Sequence, residues 1–405
     1  GVYSEPWGLD FFVIFYLLSF IMREICKQYL SYYVRKGIIF VKDNTKTYAM
    51  KKLTILRVIL LVAFLSFFLS PLKAQLNNIG EMMKAFQKNA PQDAEKLMKS
   101  YISPYTNALG TDLSGGWYNT AKPHGVLGFD LTFSLNTTFV PKSDQTFTPD
   151  NLGLETVQTT TENATSPTAM GDNSSGALLE LKNPPGGENV EIELPKGTGI
   201  SFAPAPMLQG AIGLPKGTEL IGRYTPTMKL GSQAEIGLWG VGIKHSIKQW
   251  IPALNKIPVL QLSVLGGYTK LSSETDLSFT PGAYGISNYD ENTYSDQKMM
   301  LGLSSFTGNL LISANLPVVC FYGGVGITSS KTKLELQGNY PIPSENGVEP
   351  VEDPINLSIK HKDGSTTKPR YNAGIRFKFA VITLHFDYTY ADYNVFTTGL
   401  GLSIR

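Results

Sequence analysis

The chain is short of cysteine, histidine and charge. Cys26 and Cys320 are the only cysteines among 405 residues, which excludes a disulfide framework and a cysteine zinc site. Charged residues make up 17% of the chain, below the about one quarter usual for soluble domains, and 20 tyrosines with 21 phenylalanines argue against disorder. Thirty-five basic residues against 33 acidic ones leave a net charge of +2, so there is no electrostatic footprint for nucleic acid. No glycine-rich phosphate loop occurs, and His124 and His361 stand without metal-ligand spacing. No cofactor or metal is expected. Long hydrophobic runs are missing too: neither Phe11 to Met22 nor Val58 to Leu69 reaches the roughly 20 residues that a helix needs to cross a bilayer core.

What the chain does contain is 39 glycines and many Tyr, Phe, Thr and Ser residues, the material of alternating strands joined by turns. The fold class expected is all-β.

Met50-Lys51-Lys52 and Arg57 precede and enter an apolar run that ends at Pro71-Leu72-Lys73-Ala74-Gln75. This is the pattern of a secretory signal peptide over residues 50–74, cleaved after Ala74. Residues 1–49 then read as an upstream extension, with an anchor helix over 11–33 as the rival, interrupted by Arg23, Glu24 and Lys27. After such cleavage Cys320 is the only cysteine left, and an internal disulfide is impossible.

Residues 75–115 form the next segment. Leu76, Ile79, Met82, Met83 and Phe86, then Leu97, Met98 and Tyr101, recur at three and four residues and predict two short amphipathic helices separated by Pro91. They would serve as a hatch or as a periplasmic segment. From Gly115 the period becomes two. Leu127, Phe129, Leu131, Phe133, Leu135 and Phe139 alternate with polar residues and glycine, a run longer than a soluble strand and suited to a membrane strand.

At the C-terminus the register can be derived. Ile375, Phe377 and Phe379 are apolar at odd positions, while Ile382, Leu384, Phe386 and Tyr388 are apolar at even ones. A two-residue turn at Ala380-Val381 pairs 379 with 382 and collects both sets on one face, which Leu400, Leu402 and Ile404 continue. The opposite face holds Arg376, Lys378, Thr383, His385, Asp387, Gly399, Gly401 and Ser403. One lipid face and one polar face describe the wall of a closed antiparallel transmembrane barrel over residues 116–405. About ten strands are expected, near 124–139, 200–214, 218–230, 234–245, 258–272, 297–313, 317–331, 370–380, 381–391 and 395–405, with twelve or fourteen left open. Long connections over 140–199, 273–296 and 332–369 alternate with short turns. The first is acidic, and within it Leu178 to Leu181 and Val190 to Leu194 predict a projecting hairpin.

Arg376, Lys378, His385 and Asp387 share the inward face and read as a lumen salt-bridge network rather than a proton relay. His245-Ser246 raises a membrane-embedded serine lipase, but adjacent strand residues point apart and no third member is found. Ser246 to Pro252 reads instead as one helical turn at the membrane interface, carrying Trp250 with Lys244, Lys248 and Lys256. Trp117 and Tyr118 are expected in the interfacial aromatic girdle. No catalytic residue is assigned.

Gly116-Trp117-Tyr118-Asn119-Thr120-Ala121-Lys122-Pro123-His124, Leu127 to Thr132, and Gly242 to Pro252 resemble a family of Bacteroidetes outer-membrane β-barrels, the domain of unknown function DUF6588. The resemblance covers residues 95–405 and implies fold and location more than activity. More distantly, a helical segment leading into an aromatic barrel is similar to the long-chain fatty-acid transporters of the outer membrane, where such a segment plugs the lumen; the Asn-Pro-Ala signature of that plug is absent from 75–115. These resemblances imply a Gram-negative outer-membrane barrel that contacts outer-membrane lipid and the barrel-assembly machinery and passes a small hydrophobic ligand. The alternatives are a structural or adhesive barrel and an outer-membrane enzyme. A lumen lined by apolar residues behind the hatch favours passage; a lumen packed with charge pairs favours a structural role.

Overall fold

The computed structural model describes residues 91–182, 191–230, 234–284, 286–344, 347–359 and 366–404. The expected extension, signal peptide, cleavage site and first helix lie outside these residues, as does His361.

Ten strands close into an antiparallel barrel: β1 (Phe129–Phe139), β2 (Phe202–Leu214), β3 (Thr218–Leu230), β4 (Ala234–Ser246), β5 (Leu260–Asp276), β6 (Lys298–Asn315), β7 (Val319–Gln337), β8 (Thr367–Phe379), β9 (Ile382–Tyr390) and β10 (Asn394–Ile404). Each pairs with its sequence neighbour, and β1 pairs with β10 to shut the ring. The derived hairpin is present with Phe379 opposite Ile382. It turns tightly because Ala380 adopts φ 55, the left-handed conformation that two-residue hairpins require. Leu400, Leu402 and Phe379 are exposed outward while Arg376, Thr383, His385 and Asp387 are buried inward, so the register is as derived.

The outer surface carries an apolar belt. Phe133 sits between Leu208 on β2 and Leu400 on β10, and all three are exposed. The same holds for Leu220, Val241, Ile243, Val264, Leu310, Ile312, Val325 and Ile327. Such a surface is unfavourable in water and fits hydrocarbon. Among the described residues no helix is long and apolar enough to cross a membrane.

The wall is uneven. Strands β5, β6 and β7 have 17, 18 and 19 residues, against 9 in β9, and thus rise well past the about 9–11 residues a membrane strand uses. The top of β7 pairs with Ile355–Ile359 rather than with β8. The described residues 140–182 and 191–201 fold at the same end into a cap. There Leu178–Leu181 lies between Val157–Thr159 and Glu191–Glu193. The expected hairpin therefore exists, but it does not project, because Leu179, Leu181, Ile192 and Leu194 are buried.

A single helix, α1 (Pro91–Ser114), replaces the second of the two expected short helices. Pro91 is its first described residue, and Pro104 lies within it. At 24 residues it is about 36 Å long. Its first turns dock in the cap, where the Tyr101 carbonyl accepts from the Ala169 N–H at 2.9 Å. Its last turn lies mid-barrel, where Thr138 donates to the Asp112 carboxylate at 2.7 Å. Residues 115–124 continue to the turn end, where the Ala121 N–H reaches Ser313 Oγ at 3.1 Å. The chain thus enters the lumen at the loop end, leaves it at the turn end, and only then begins β1.

Leu208→Arg should impair barrel assembly by about 2–4 kcal/mol, the cost of a cation at mid-bilayer depth, whereas Leu208→Ala should assemble almost normally; folding yields into lipid vesicles compare them. A second expectation concerns Asp93, which burial pushes toward the neutral acid but which the Thr156 and Glu155 N–H groups, the Thr156 hydroxyl and Lys96 hold as a carboxylate, with its pKa below the ordinary 3.8. A depressed folded pKa gives stability that is present above 3.8 and lost as pH falls through the lower folded value. Asp93→Asn should loosen the helix–cap contact at neutral pH, and acidification below that range should reproduce this in the unaltered protein, as read by hydrogen exchange at Thr156.

Candidate functional site in the barrel lumen

Two chemically different halves make up the lumen. Toward the loop end the inward positions include an apolar group: Met207 on β2, Leu238 on β4, Leu271 on β5, Leu301 and Leu303 on β6, Leu334 and Leu336 on β7. Leu97, Met98, Ile102, Leu109 and Leu113 of α1 pack among them in one buried cluster. Gly110 brings the helix so close to β7 that an added Cβ would lie 2.9 Å from Ser330 Cβ.

Toward the turn end the lumen is polar and takes residues 115–124. The C-terminal carbonyls of α1, which have no intrahelical donors, are met by the wall. Arg223 donates to the Leu113 carbonyl at 3.0 Å and the Gly115 carbonyl at 2.6 Å. Thr269 also reaches Leu113 O, at 3.1 Å, Asn136 reaches Asp112 O at 2.7 Å, and Arg370 donates to Ser114 O.

Trp117 packs beneath Arg223, whose Cζ lies 3.7 Å from the ring centroid, a cation–π contact in a dry setting. The indole fits a notch made by Gly242 and Gly267, which face each other across β4 and β5; a Cβ on either would lie 2.7 Å from the ring. Tyr118 meets Tyr322 edge to face at 6.0 Å. Trp117 and Tyr118 are 1% and 6% exposed, so neither stands in an outer girdle. Here the sequence expectation is corrected: residues 115–124 run inside the barrel, and the aromatics fill the lumen. Trp250, 68% exposed beside His245, does face outward. Ser246 is not its helix cap; the short 3-10 turn Lys248–Trp250 starts after Ile247 with no side-chain cap.

Lys244 is also corrected, from interfacial to buried. Its Nζ lies 2.8 Å from Glu219 Oε1, and Glu219 stands directly opposite it on β3. Glu219 Oε2 is 2.8 Å from both the backbone N and Nδ1 of His124, and His124 Nε2 is 3.1 Å from Ser403 Oγ. Carboxylate, imidazole and hydroxyl therefore stand in the order a hydroxyl nucleophile uses. Ser403 is only 2% exposed and Lys244 also holds the carboxylate, so the contacts fasten the end of the plug to β3, β4 and β10. No local motif joins these residues, which come from four separate segments; the inward alternation of Glu219 and Lys244 on paired strands is the sequence signal for the cluster.

Arg376, Lys378, His385 and Asp387 do share one inward face, with Arg376 opposite His385 and Lys378 opposite Thr383. They do not form the expected salt-bridge network. Asp387 takes its donors from the Tyr322 hydroxyl at 2.9 Å and Asn372 Nδ2 at 2.7 Å. Nε and Nη2 of Arg376 and both ring nitrogens of His385 are buried without a protein partner. Among the described residues no group of acidic, histidine or cysteine side chains could hold a metal.

A family model described as a family of unknown function, DUF6588, matches residues 50–404. The chain belongs to that family. No curated protein matches it. Similar solved structures include the translocator domain of the autotransporter NalP from Neisseria meningitidis, at 10% identity over 75% of this chain and 96% of that one, with a TM-score of 0.30. The attachment invasion locus protein Ail of Yersinia pestis is similar at 12% identity over 69% and 99%, with a TM-score of 0.23. The toluene transporter TodX of P. putida follows at 9% identity over 69% and 90%, with a TM-score of 0.21.

Glu219→Gln should destabilise this DUF6588 protein by about 3–5 kcal/mol, because it strands the buried Lys244 charge. The double change Glu219→Leu with Lys244→Met should cost much less. Denaturation of the folded protein in detergent compares the two.

Proposed function

We propose that the protein is an integral outer-membrane barrel which its own chain keeps closed, and which presents the folded cap of residues 140–201 to the exterior. The observation that carries this reading is α1. A helix packed at Met98 and Leu113 to 0% exposure, continued by residues 115–124, occupies the lumen from loop end to turn end. In such barrels the short turns face the periplasm and the long loops face outward, so the cap and the start of α1 are on the outside. This favours the structural or adhesive role among those the sequence allows.

Passage of a small hydrophobic compound is the second reading, supported by one feature. The loop-end half of the lumen is lined by Met207, Leu238, Leu301, Leu303 and Leu334, a surface an apolar solute would wet if α1 moved aside. Deleting α1 would not open a clean pore on either reading, because it exposes that lining and strips Arg223 and Arg370 of their carbonyl acceptors.

Planar-bilayer recordings test the closed state: the intact protein should show no sustained conductance, and steady openings would overturn the reading. Orientation is tested separately, with Cys320 replaced by Ser. Gln92→Cys, at the exposed start of α1, should react with a membrane-impermeant maleimide on intact cells, and Ala380→Cys only after the outer membrane is breached.

A further inference from the structure

The lumen wall contains a group of hydrogen-bond donors that the fold does not use. Arg376 is 6% exposed, His385 1% and Thr383 0%. Nε and Nη2 of Arg376, both ring nitrogens of His385 and the hydroxyl of Thr383 have no protein partner. The register places them together. Arg376 is opposite His385, and Thr383, two residues before His385 on the same face, is opposite Lys378. Beyond them β10 presents Gly399 and Gly401. These glycines leave room for the neighbouring side chains, since a Cβ at 399 would lie 2.2 Å from His385 Cε1 and one at 401 would lie 2.7 Å from Thr383 Oγ1.

Burying a guanidinium without an acceptor is strongly unfavourable. The other lumen arginines avoid that cost, Arg223 and Arg370 through the carbonyls at the end of α1. Arg376 has no such acceptor, and the two atoms it leaves unused form the Nε–Nη2 edge, the fork that grips a carboxylate or phosphate with two parallel bonds. Lys378 lies within the electrostatic reach of Arg376, Asp130 and Lys122. Of the carboxylates that bear on Arg376, Glu219 is engaged by Lys244 and His124, which leaves Asp130.

We propose that Arg376, His385 and Thr383 form a binding site for a small oxyanion, reached from the turn end past Lys378 and Lys122. The guanidinium edge takes two oxygens of the anion, and the imidazole N–H and threonine hydroxyl donate to the rest. Asp130 weakens the site by its negative charge. This goes beyond the closed-barrel reading and does not depend on it.

The test uses the full chain folded in a non-ionic detergent, with inorganic phosphate as the probe and chloride at equal ionic strength as control. Calorimetric titration and thermal unfolding should show binding and stabilisation by phosphate and none by chloride. Arg376→Gln should weaken phosphate binding at least about tenfold, the loss of one charge-assisted bidentate contact. Thr383→Val, which alters a single hydroxyl and keeps the barrel intact if Arg376→Gln does not fold, should weaken it severalfold. Asp130→Asn should strengthen it. No response to phosphate, or a response unchanged in both Thr383→Val and Asp130→Asn, would overturn the site.

Discussion

The structure depends on satisfying the C-terminal end of a helix in the middle of a barrel. Four carbonyls at such an end lack intrahelical donors, and here Asp112, Leu113 and Ser114 are buried. The helix brings no basic residue in its own last turn. The wall therefore supplies the donors: Arg223 from β3, Thr269 from β5, Arg370 from β8 and Asn136 from β1. Two guanidinium groups at the negative end of the helix dipole also find their compensation there. These contacts fix the depth of α1, and that depth determines where Trp117 must fit, beneath Arg223 and against Gly242 and Gly267.

Filling follows from size. A barrel of about this strand number has an interior too wide to be closed by its own side chains alone and wide enough for one helix of about 10 Å diameter. The division of the lumen matches the division of the plug. Where α1 passes, apolar side chains meet apolar side chains; where the chain is extended and its backbone groups are unpaired, the wall turns polar, with Ser263, Ser313 and Asn315 bonded to residues 120 and 121. A substitution that exchanges the two linings would leave either apolar surface or backbone polar groups without a match.

Much of the barrel was legible because a period of two runs through the wall strands, shifted on β3 between Thr225 and Met228, and because one hairpin register, Phe379 against Ile382, is forced by where the apolar residues lie. What runs through the lumen was not legible. Gly242, Gly267, Gly324 and Gly399 look like gaps in an alternating pattern, yet they are sockets for Trp117, Tyr118 and His385. A socket is defined by what enters it, and that partner lies more than a hundred residues away in the chain for Gly242. Trp117 and Tyr118 were expected outside for the same reason: aromatic residues near the start of a barrel suit a girdle and a plug equally, and local sequence does not distinguish them. His124 looked isolated because Glu219 and Ser403 reach it from different strands. The expected charge network around His385 failed for a simpler reason. Shared face and spacing establish proximity, but Tyr322 and Asn372 compete for the carboxylate and win.

The order of the chain constrains how this object can be made. The plug precedes β1 in sequence, and β1 closes against β10, the last strand, with Phe129 opposite Ile404. His124 at the end of the plug bonds Ser403 near the end of β10 and Glu219 at the start of β3. Closure of the ring and seating of the plug therefore share contacts at the turn end. At the loop end the cap packs onto the first turns of α1, where Glu155 and Thr156 bond Asp93, so that mouth is covered too. A helix with Leu97, Met98 and Leu113 buried to this degree could enter a finished barrel only by displacing the cap at the loop end or by crossing the polar half of the lumen from the turn end. Enclosure as the strands assemble avoids both costs. The apolar stripe of α1 then has a role before the native state is reached, as the surface around which β2, β6 and β7 gather their inward leucines and methionines.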